Sequence, residues 1–433
     1  MNPSVRALAS QVERLMVSQW EAASGLEIQQ RERLHRLAEY AARHSPLIRQ
    51  RLAEAALTPT ELATPGGLAR MPLLRRRDLQ LAAKQLYCAE VPPEHGEVHN
   101  LRTSGSTGEP VVVRRTVLTD FHWNALTMRD HLWHEIEFSG RFSAVRPTLP
   151  NHVRLPNWGP PTSLLFRTGA AEAIPVAAEA RQQAQWLLEF SPQVLLSFPS
   201  VAEAIAGHLR ESGRRLPELR RVKSIGETLS PRLREAIQTG LGAPIVDIYS
   251  SHEVGIIAVQ CPQSSLYHVM AENLIVEVLN EDGGPCAEGE PGRVAITDLH
   301  NYATPIIRYE IGDWAEPGGL CPCGRGLSTL RRILGRERNL VKMPDGTRRY
   351  PLVGFVRFRE VAPVLQYQFI QHALDRLEMR LVTETPLRAA QEEDLAAIVR
   401  KALGFSFALD FTYFPERLPR SPSGKFEEFV CRI

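Results

Sequence analysis

Three short strand-like runs constrain this chain more than anything else in it: Val194-Leu195-Leu196-Ser197-Phe198, Arg221-Val222-Lys223-Ser224-Ile225 and Ile245-Val246-Asp247-Ile248-Tyr249. Each has the length of a buried strand. Helical patterns separate them, one capped at Ser200 and running through Leu209, the other from roughly 230 to 240. Strand and helix alternating in this way predict an α/β sheet.

A chain of 433 residues is too long for one small core, so two or three domains are expected. Residues 1–60 read as helical, with Val5, Leu8, Val12 and Leu15, then Leu34, Leu37 and Tyr40, at helical spacing. Arg77-Asp78-Leu79 opens a short helix, and residues 119–137 form another with Asp120 as its N-cap. The stretch 141–170, rich in Pro, Asn and Gly, reads as strands joined by exposed loops. From Leu274 to Ile296 apolar positions alternate around Glu281-Asp282-Gly283-Gly284, a β-hairpin signature. A second hairpin is expected between Asn339 and Tyr350, turning at Pro344-Asp345-Gly346, and a helix over 387–403 with a strand near 408–414 closes the chain. The expected fold is a large amino-terminal domain, 1–334, of mixed sheets and helices with a β-hairpin subdomain, and a small mobile α+β carboxy-terminal domain, 335–433.

Charge excludes some classes of function. Fifty-one basic residues stand against forty-nine acidic ones, so no global field draws in nucleic acid or an anionic membrane. Short arginine clusters such as Arg75-Arg76-Arg77 and Arg220-Arg221 read as solvated faces. Six cysteines in so long a chain make no disulfide framework, and neither a signal segment nor a membrane-length apolar run is present. A reduced, cytoplasmic location is expected.

Chemistry enters at Thr103-Ser104-Gly105-Ser106-Thr107-Gly108-Glu109-Pro110. Two glycines free the backbone, and four hydroxyls with a run of peptide N–H groups can face one anion, as suits a polyphosphate. No Gly-Lys-Ser/Thr ends the loop, so it is not the P-loop of kinases and GTPases. Alone, it reads equally as a solvated turn. Four further pieces follow in order: Ser224-Ile225-Gly226-Glu227 and Tyr249-Ser250-Ser251-His252-Glu253, each at a strand's carboxyl end, then Ile307-Arg308-Tyr309-Glu310-Ile311-Gly312-Asp313, then Pro419-Arg420-Ser421-Pro422-Ser423-Gly424-Lys425. The first two can share a crevice with the loop, because open α/β sheets bind ligands beyond strand carboxyl ends. Taken singly, Asp313 reads as a turn residue, Lys425 as a loop lysine and Glu253 as a helix cap.

Together these five pieces, over nearly the whole chain, resemble the adenylate-forming enzymes of the acyl-CoA synthetase superfamily, and most nearly the phenylacetate–CoA ligase-like branch. The resemblance implies ATP and Mg²⁺ as cofactors and an acyl- or aryl-adenylate as the first product. It implies that Thr103, Ser104, Gly105, Ser106, Thr107 and Gly108 hold the β- and γ-phosphates. Gly226 and Glu227 would lie along the adenine, Tyr249 would stack on it with Ser250 beside it, and Glu253 would hold Mg²⁺. Asp313 would accept hydrogen bonds from both ribose hydroxyls, with Arg308 and Arg336 supporting that region. Lys425 would reach the substrate carboxylate and the α-phosphate from the small domain.

Cys261 and His268, with Cys321-Pro322-Cys323-Gly324, offer a Cys₃His set for a structural Zn²⁺, although the usual C-x-x-C spacing is absent. Some members of the resembled branch carry such a site. The same residues also read as reduced cysteines in a hairpin corner. Cys88, Cys286 and Cys431 have no partners at ligand spacing and read as packing residues. The chain departs from the family pattern at Glu109, where lysine is common, and at His252. It departs again at the hinge Gly335-Arg336-Glu337-Arg338-Asn339, at the pantetheine loop replaced by Val341–Thr347, and at the missing glycine-rich aromatic stretch around 145–170. Three readings therefore stand. The first is an acid–thiol ligase using CoA. The second keeps adenylation but transfers to a carrier protein, an amine or a reductase partner. The third is a non-catalytic nucleotide- or zinc-binding protein. The acid is expected to be aromatic or small, and the residues leave the assembly open, a homodimer included.

Overall fold

The computed structural model describes residues 3–102, 111–336, 339–349, 355–419 and 426–433. A hairpin of β1 (Val98–Arg102) and β2 (Val112–Thr116) forms a two-stranded sheet. The large sheet holds β3 (Phe142–Arg146), β4 (Val153–Leu155), β5 (Ala171–Pro175), β6 (Val194–Ser197), β7 (Arg221–Ile225) and β8 (Ile245–Ser251). It continues through β9 (Gly255–Gln260), β10 (Tyr267–Val269), β11 (Leu274–Leu279), β12 (Gly292–Asp298), β13 (Tyr309–Pro317) and β14 (Thr329–Arg336). These twelve strands run in the order β11-β12-β13-β14-β10-β9-β8-β7-β6-β3-β5-β4.

The three strand-like runs of the sequence are β6, β7 and β8, and with β3 and β5 they make the parallel part of the sheet. Parallel strands are covered on both faces, so polar side chains on these strands are buried with partners, Lys223 with Asp130 and His131 and Asp247 with Ser224 and Tyr267. On one face Ile205 and Leu209 of helix Pro199–Glu211, with Leu233 and Ile237 of helix Pro231–Leu241, pack on Leu195 and Val222. On the other, Ala125, Leu126 and Met128 of helix Val117–Trp133 pack on Ile248, Ile256 and Val259. The hairpin expected over 274–296 is β11 against β12, and β12 also pairs with β13, so the hairpin is continuous with the large sheet.

Two capping assignments are corrected. Strand β2 runs straight into its helix, so Thr116, not Asp120, is the N-cap, its hydroxyl accepting from the Thr119 N–H at 3.1 Å. Asp120 sits in the first turn and pairs with Arg115 and His99. Ser200 lies inside its helix after Pro199, where the fixed φ of proline starts the helix one residue earlier. The Ser200 hydroxyl goes instead to Glu227.

The amino-terminal helix Pro3–Ser18 turns Leu8, Val12 and Leu15 onto helix Val117–Trp133. Its end is fixed by a distant turn. The Gln19 side-chain oxygen accepts from Trp133 Nε1 at 2.6 Å and Arg325 Nε at 2.9 Å, and the Gly326 N–H donates to the Gln19 carbonyl. A Cβ on Gly326 would stand 1.7 Å from the Glu21 carbonyl oxygen, so only glycine permits this approach. The Arg325 guanidinium lies over both the Trp20 and Trp133 rings.

Beyond Arg336 the chain builds separate sheets. β15 (Val341–Lys342) and β16 (Arg348–Arg349) form the second expected hairpin. β17 (Val364–Ala373), β18 (Arg376–Thr383), β19 (Ala408–Tyr413) and β20 (Phe429–Cys431) form a four-stranded sheet in the order β19-β18-β17-β20. Leu395, Val399 and Leu403 of helix Ala389–Leu403 cover it. The chain closes on β20 rather than near 414; three residues are too few to show alternation.

Candidate active site and candidate metal centre

β7 and β8 are neighbours, and the loops beyond their carboxyl ends face one crevice. Gly226, which follows β7, takes a left-handed φ of 82° and turns the chain out of the sheet. The Glu227 carboxylate points back and accepts from Ser200 N and Oγ, both at 2.9 Å, and from the Phe426 N–H at 3.0 Å. Tyr249, in β8, is buried, and its hydroxyl donates to Asp313 Oδ2 at 2.8 Å. Ser250 follows it, half-buried.

Asp313 lies in β13 opposite Arg336 of β14, and Arg336 Nε stands 3.0 Å from Asp313 Oδ1. The Arg336 Nη1 donates to the Ile311 carbonyl at 2.8 Å, so the guanidinium is fixed from two sides. Gly335 has a φ of 87°, and a Cβ there would stand 2.4 Å from Thr228 Oγ1. The end of β14 thus closes directly on the loop after β7, and the Gly226–Thr228 and Asp313–Arg336 segments share a wall.

Glu253, in the turn between β8 and β9, is buried, and Arg76 of helix Arg76–Leu81 approaches it to 3.6 Å. Arg76 is therefore a correction to the solvated arginine cluster read from sequence: one of three adjacent arginines turns inward. Electrostatics tie these groups together. Asp313 raises the Arg336 pKa, burial opposes it, and Glu253 and Tyr249 add to the rise. Burial, then Asp313, raises the Tyr249 phenol well above its ordinary value. Burial and Glu253 also raise Tyr309, whose hydroxyl is buried with no hydrogen-bond partner among the described residues. Neither Arg76 nor Tyr309 carried a signal of its own in the sequence, because each acts through a contact distant in the chain.

Gly226, Glu227, Tyr249, Ser250, Glu253, Asp313 and Arg336 are thus brought to one place. Arg308, expected to support the nucleotide region, does not line this place. Its Nη1 donates to the carbonyls of Ala69 and Met71 at 2.6 and 2.7 Å, and its Nε faces Glu277 at 3.3 Å. Its carbonyl accepts from the Leu74 N–H at 2.8 Å. Arg308 therefore fixes the segment that delivers Arg76 to Glu253. Thr103, Ser104, Gly105, Ser106, Thr107, Gly108 and Lys425 lie outside the described residues. Their neighbours reach the crevice: Val111 and Val113 join the apolar cluster containing Tyr249, Val254 and Tyr309, and Phe426 bonds to Glu227.

A second cluster sits on the antiparallel part of the sheet. Cys261 follows β9, His268 lies in β10, and Cys321 and Cys323 lie between β13 and β14. Their four ligand atoms lie within 4.8 Å of one another. Cys261 and Cys321 Sγ are 3.7 Å apart, close to the ~3.8 Å edge of a tetrahedron with ~2.3 Å metal–sulfur bonds. His268 Nε2 stands 3.2 Å from Cys323 Sγ, and burial lowers the His268 pKa to about 4, which keeps the ring in the neutral form a metal binds. Among the described residues this is the one cluster of such donors. Cys88 is buried, and Cys286 and Cys431 are partly so, away from the cluster.

Residues 100–301 match the family model described as AMP-binding enzyme. The chain is 27% identical to phenylacetate-coenzyme A ligase of Thermus thermophilus over 82% of this chain and 81% of that protein. It is 26% identical to phenylacetate-coenzyme A ligase of Escherichia coli over 86% of each. Its fold is similar to 2-hydroxyisobutyryl-CoA ligase in the postadenylation state, with a TM-score of 0.72 at 20% identity, covering 93% of this chain and 88% of that one. Against the same ligase in the thioesterification state the TM-score is 0.61 at 21% identity, covering 96% and 91%.

Proposed function

The chain belongs to the adenylate-forming (acyl-CoA synthetase) superfamily, in the phenylacetate–CoA ligase-like branch, and from that premise we propose that it activates an aromatic or small carboxylic acid with ATP and passes the acyl group to a thiol, CoA being the simplest acceptor. The observation that carries this reading is the union of the Tyr249–Asp313–Arg336 chain with Glu253 at the ends of β7 and β8.

In this reading Arg336 and Tyr249 orient the Asp313 carboxylate toward the two ribose hydroxyls. The Tyr249 ring and the backbone at Gly226, Glu227 and Ser250 line the base. The loop 103–108 takes the β- and γ-phosphates. Glu253 offers the hard oxygen donor that suits Mg²⁺, an ion that keeps several waters, and the orphan hydroxyl of Tyr309 lies within its electrostatic reach. When bound, the ion would supply positive charge to the phosphate oxygens. The carboxylate oxygen of the acid bonds to the α-phosphorus as the bridging bond to pyrophosphate breaks. Two anions meet in that step, and the Lys425 ammonium lowers the cost at the attacked centre. The thiol then attacks the acyl carbonyl and AMP leaves. The small domain, 335–433, would move between the two steps. The Cys261, His268, Cys321 and Cys323 set fits a closed, structural Zn²⁺ site in donor type and spacing.

A second reading keeps adenylation and changes the acceptor to a carrier protein, an amine or a reductase partner. It is favoured by residues 341–349, which form a tight hairpin turned at Pro344-Asp345-Gly346 where relatives use a glycine-containing loop to receive pantetheine. No helix among the described residues is long and apolar enough to cross a membrane. Pyrophosphate release screened across aryl, fatty and amino acids tests the first step; absence of release with every acid defeats both readings. Acceptors are then compared directly, and efficient acyl-CoA formation removes the second.

A further inference from the structure

The segment that follows Lys425 is gripped from both sides. On its own domain, the Phe369 N–H donates to the Glu428 carbonyl at 2.8 Å and Gln368 Nε2 to the Glu427 carbonyl at 2.9 Å. From the large sheet, Glu227 accepts the Phe426 N–H at 3.0 Å. Arg232, in the first turn of helix Pro231–Leu241, donates from Nε and Nη2 to Glu428 Oε1 at 2.9 and 2.5 Å. The same guanidinium is paired through Nη1 with Glu203 of helix Pro199–Glu211. Its ring neighbour is Tyr367 of β17, whose hydroxyl also approaches Glu428, at 3.4 Å.

These contacts are placed where they control geometry. Phe426 is one residue from Lys425, and adjacent Cα atoms are about 3.8 Å apart, so a hold on Phe426 limits how far the lysine can stray. Arg232 is only 14% exposed in its side chain, and the two carboxylates are no more than 28% exposed, so water screens the triad weakly. Burial pulls the Arg232 pKa down, yet Glu428 and Glu203 raise it further than burial lowers it. Glu203 is the fixed member: it holds the guanidinium on the large domain whether or not Glu428 is present.

We propose that Arg232, backed by Glu203, is a positioning residue for adenylation: it captures Glu428 and, with the Glu227–Phe426 hydrogen bond, ties residues 426–428, which follow Lys425 in the chain, to the large domain. This rests on the functional reading above. The closer superposition on the postadenylation form than on the thioesterification form of the related ligase supports it. Seating the small domain this way favours acid activation. Leaving that arrangement requires Glu428 to part from Arg232.

The test is Arg232→Ala in the full chain, read in two ways. Acid-dependent ATP–pyrophosphate exchange should fall in kcat on the order of tenfold, with KM for ATP unchanged, because the nucleotide crevice is untouched. Distances between spin labels on the two domains should broaden in the same variant. Arg232→Lys should restore most of both effects, and Glu428→Gln should reproduce them should Arg232→Ala fold poorly. An unchanged distance distribution, or a rise in KM for ATP with kcat intact, overturns the proposal. Wild-type protein that exchanges pyrophosphate with no acid defeats the functional reading instead; the label distances still judge the clamp.

Discussion

The candidate active site at the ends of β7 and β8 and the Cys/His cluster treat buried charge in opposite ways. In the crevice two carboxylates already face guanidinium groups, Glu253 with Arg76 and Asp313 with Arg336. In the cluster three thiols and a neutral imidazole face one another, with ligand atoms at the spacing of a coordination shell. A site whose ligands come and go must remain tolerable when empty, so it keeps its own counter-ions. A site built around a resident cation leaves charge balance to that cation. Four measurements probe this contrast.

The largest effect is expected from Lys425→Ala, which should lower acid-dependent ATP–pyrophosphate exchange on the order of 10³-fold while calorimetric ATP affinity stays nearly constant. Undiminished exchange would remove Lys425 from the reaction. Next comes Asp313→Asn, expected to raise KM for ATP about 30-fold, since it deletes a charged acceptor and leaves Arg336 and Tyr249 facing an amide. Elemental analysis should find the same bound metal in that variant as in wild type. Any metal loss would show that the two regions are not separable.

Cys321→Ser should act the other way. Bound zinc should drop out, and the melting temperature should fall by roughly 5–10 °C, with KM for ATP within about twofold of wild type. Wild-type protein that carries no zinc would defeat the metal assignment. The mildest effect is expected from pH. Burial holds His268 and His300 neutral, with pKa values lowered to about 4, and His131 to about 3. An unfolded chain takes up these protons near pH 6.5, whereas the folded chain refuses them until near pH 4. Stability should therefore decline as pH falls from about 6.5 toward 4 and be indifferent to these groups above 6.5. No histidine is among the residues assigned to the crevice, so acid should release metal before it weakens ATP binding. The opposite order would break the contrast.

What could be read from sequence was local in the chain. Strands β6, β7 and β8 were legible because helical patterns separate them, and Gly226, Glu227, Tyr249 and Glu253 all lie within a few residues of a recognisable strand end. The roles expected of Asp313 and Lys425 rest on the resemblance alone, since a turn aspartate and a loop lysine look ordinary by themselves. The Cys₃His set was assembled from two short segments. Contacts between distant segments stayed hidden. Nothing around Arg76 distinguishes it from Arg75 and Arg77, because its partner Glu253 is far along the chain. Arg308 sits inside a motif, yet its guanidinium is spent on the carbonyls of Ala69 and Met71. Thr116 displaced Asp120 as a cap because strand and helix meet without a loop, a junction that periodicity blurs.

The bond from Arg325 to Gln19 spans 306 residues, and it has a consequence for how the protein is made. At ribosomal rates of about 5–20 residues per second, the first helix emerges roughly 15–60 s before the turn that fastens its end. Trp20 has no guanidinium above it during that interval. Until then the helix Pro3–Ser18 must stay soluble unaided or on a chaperone, and this stitch cannot close before residue 325 has been made.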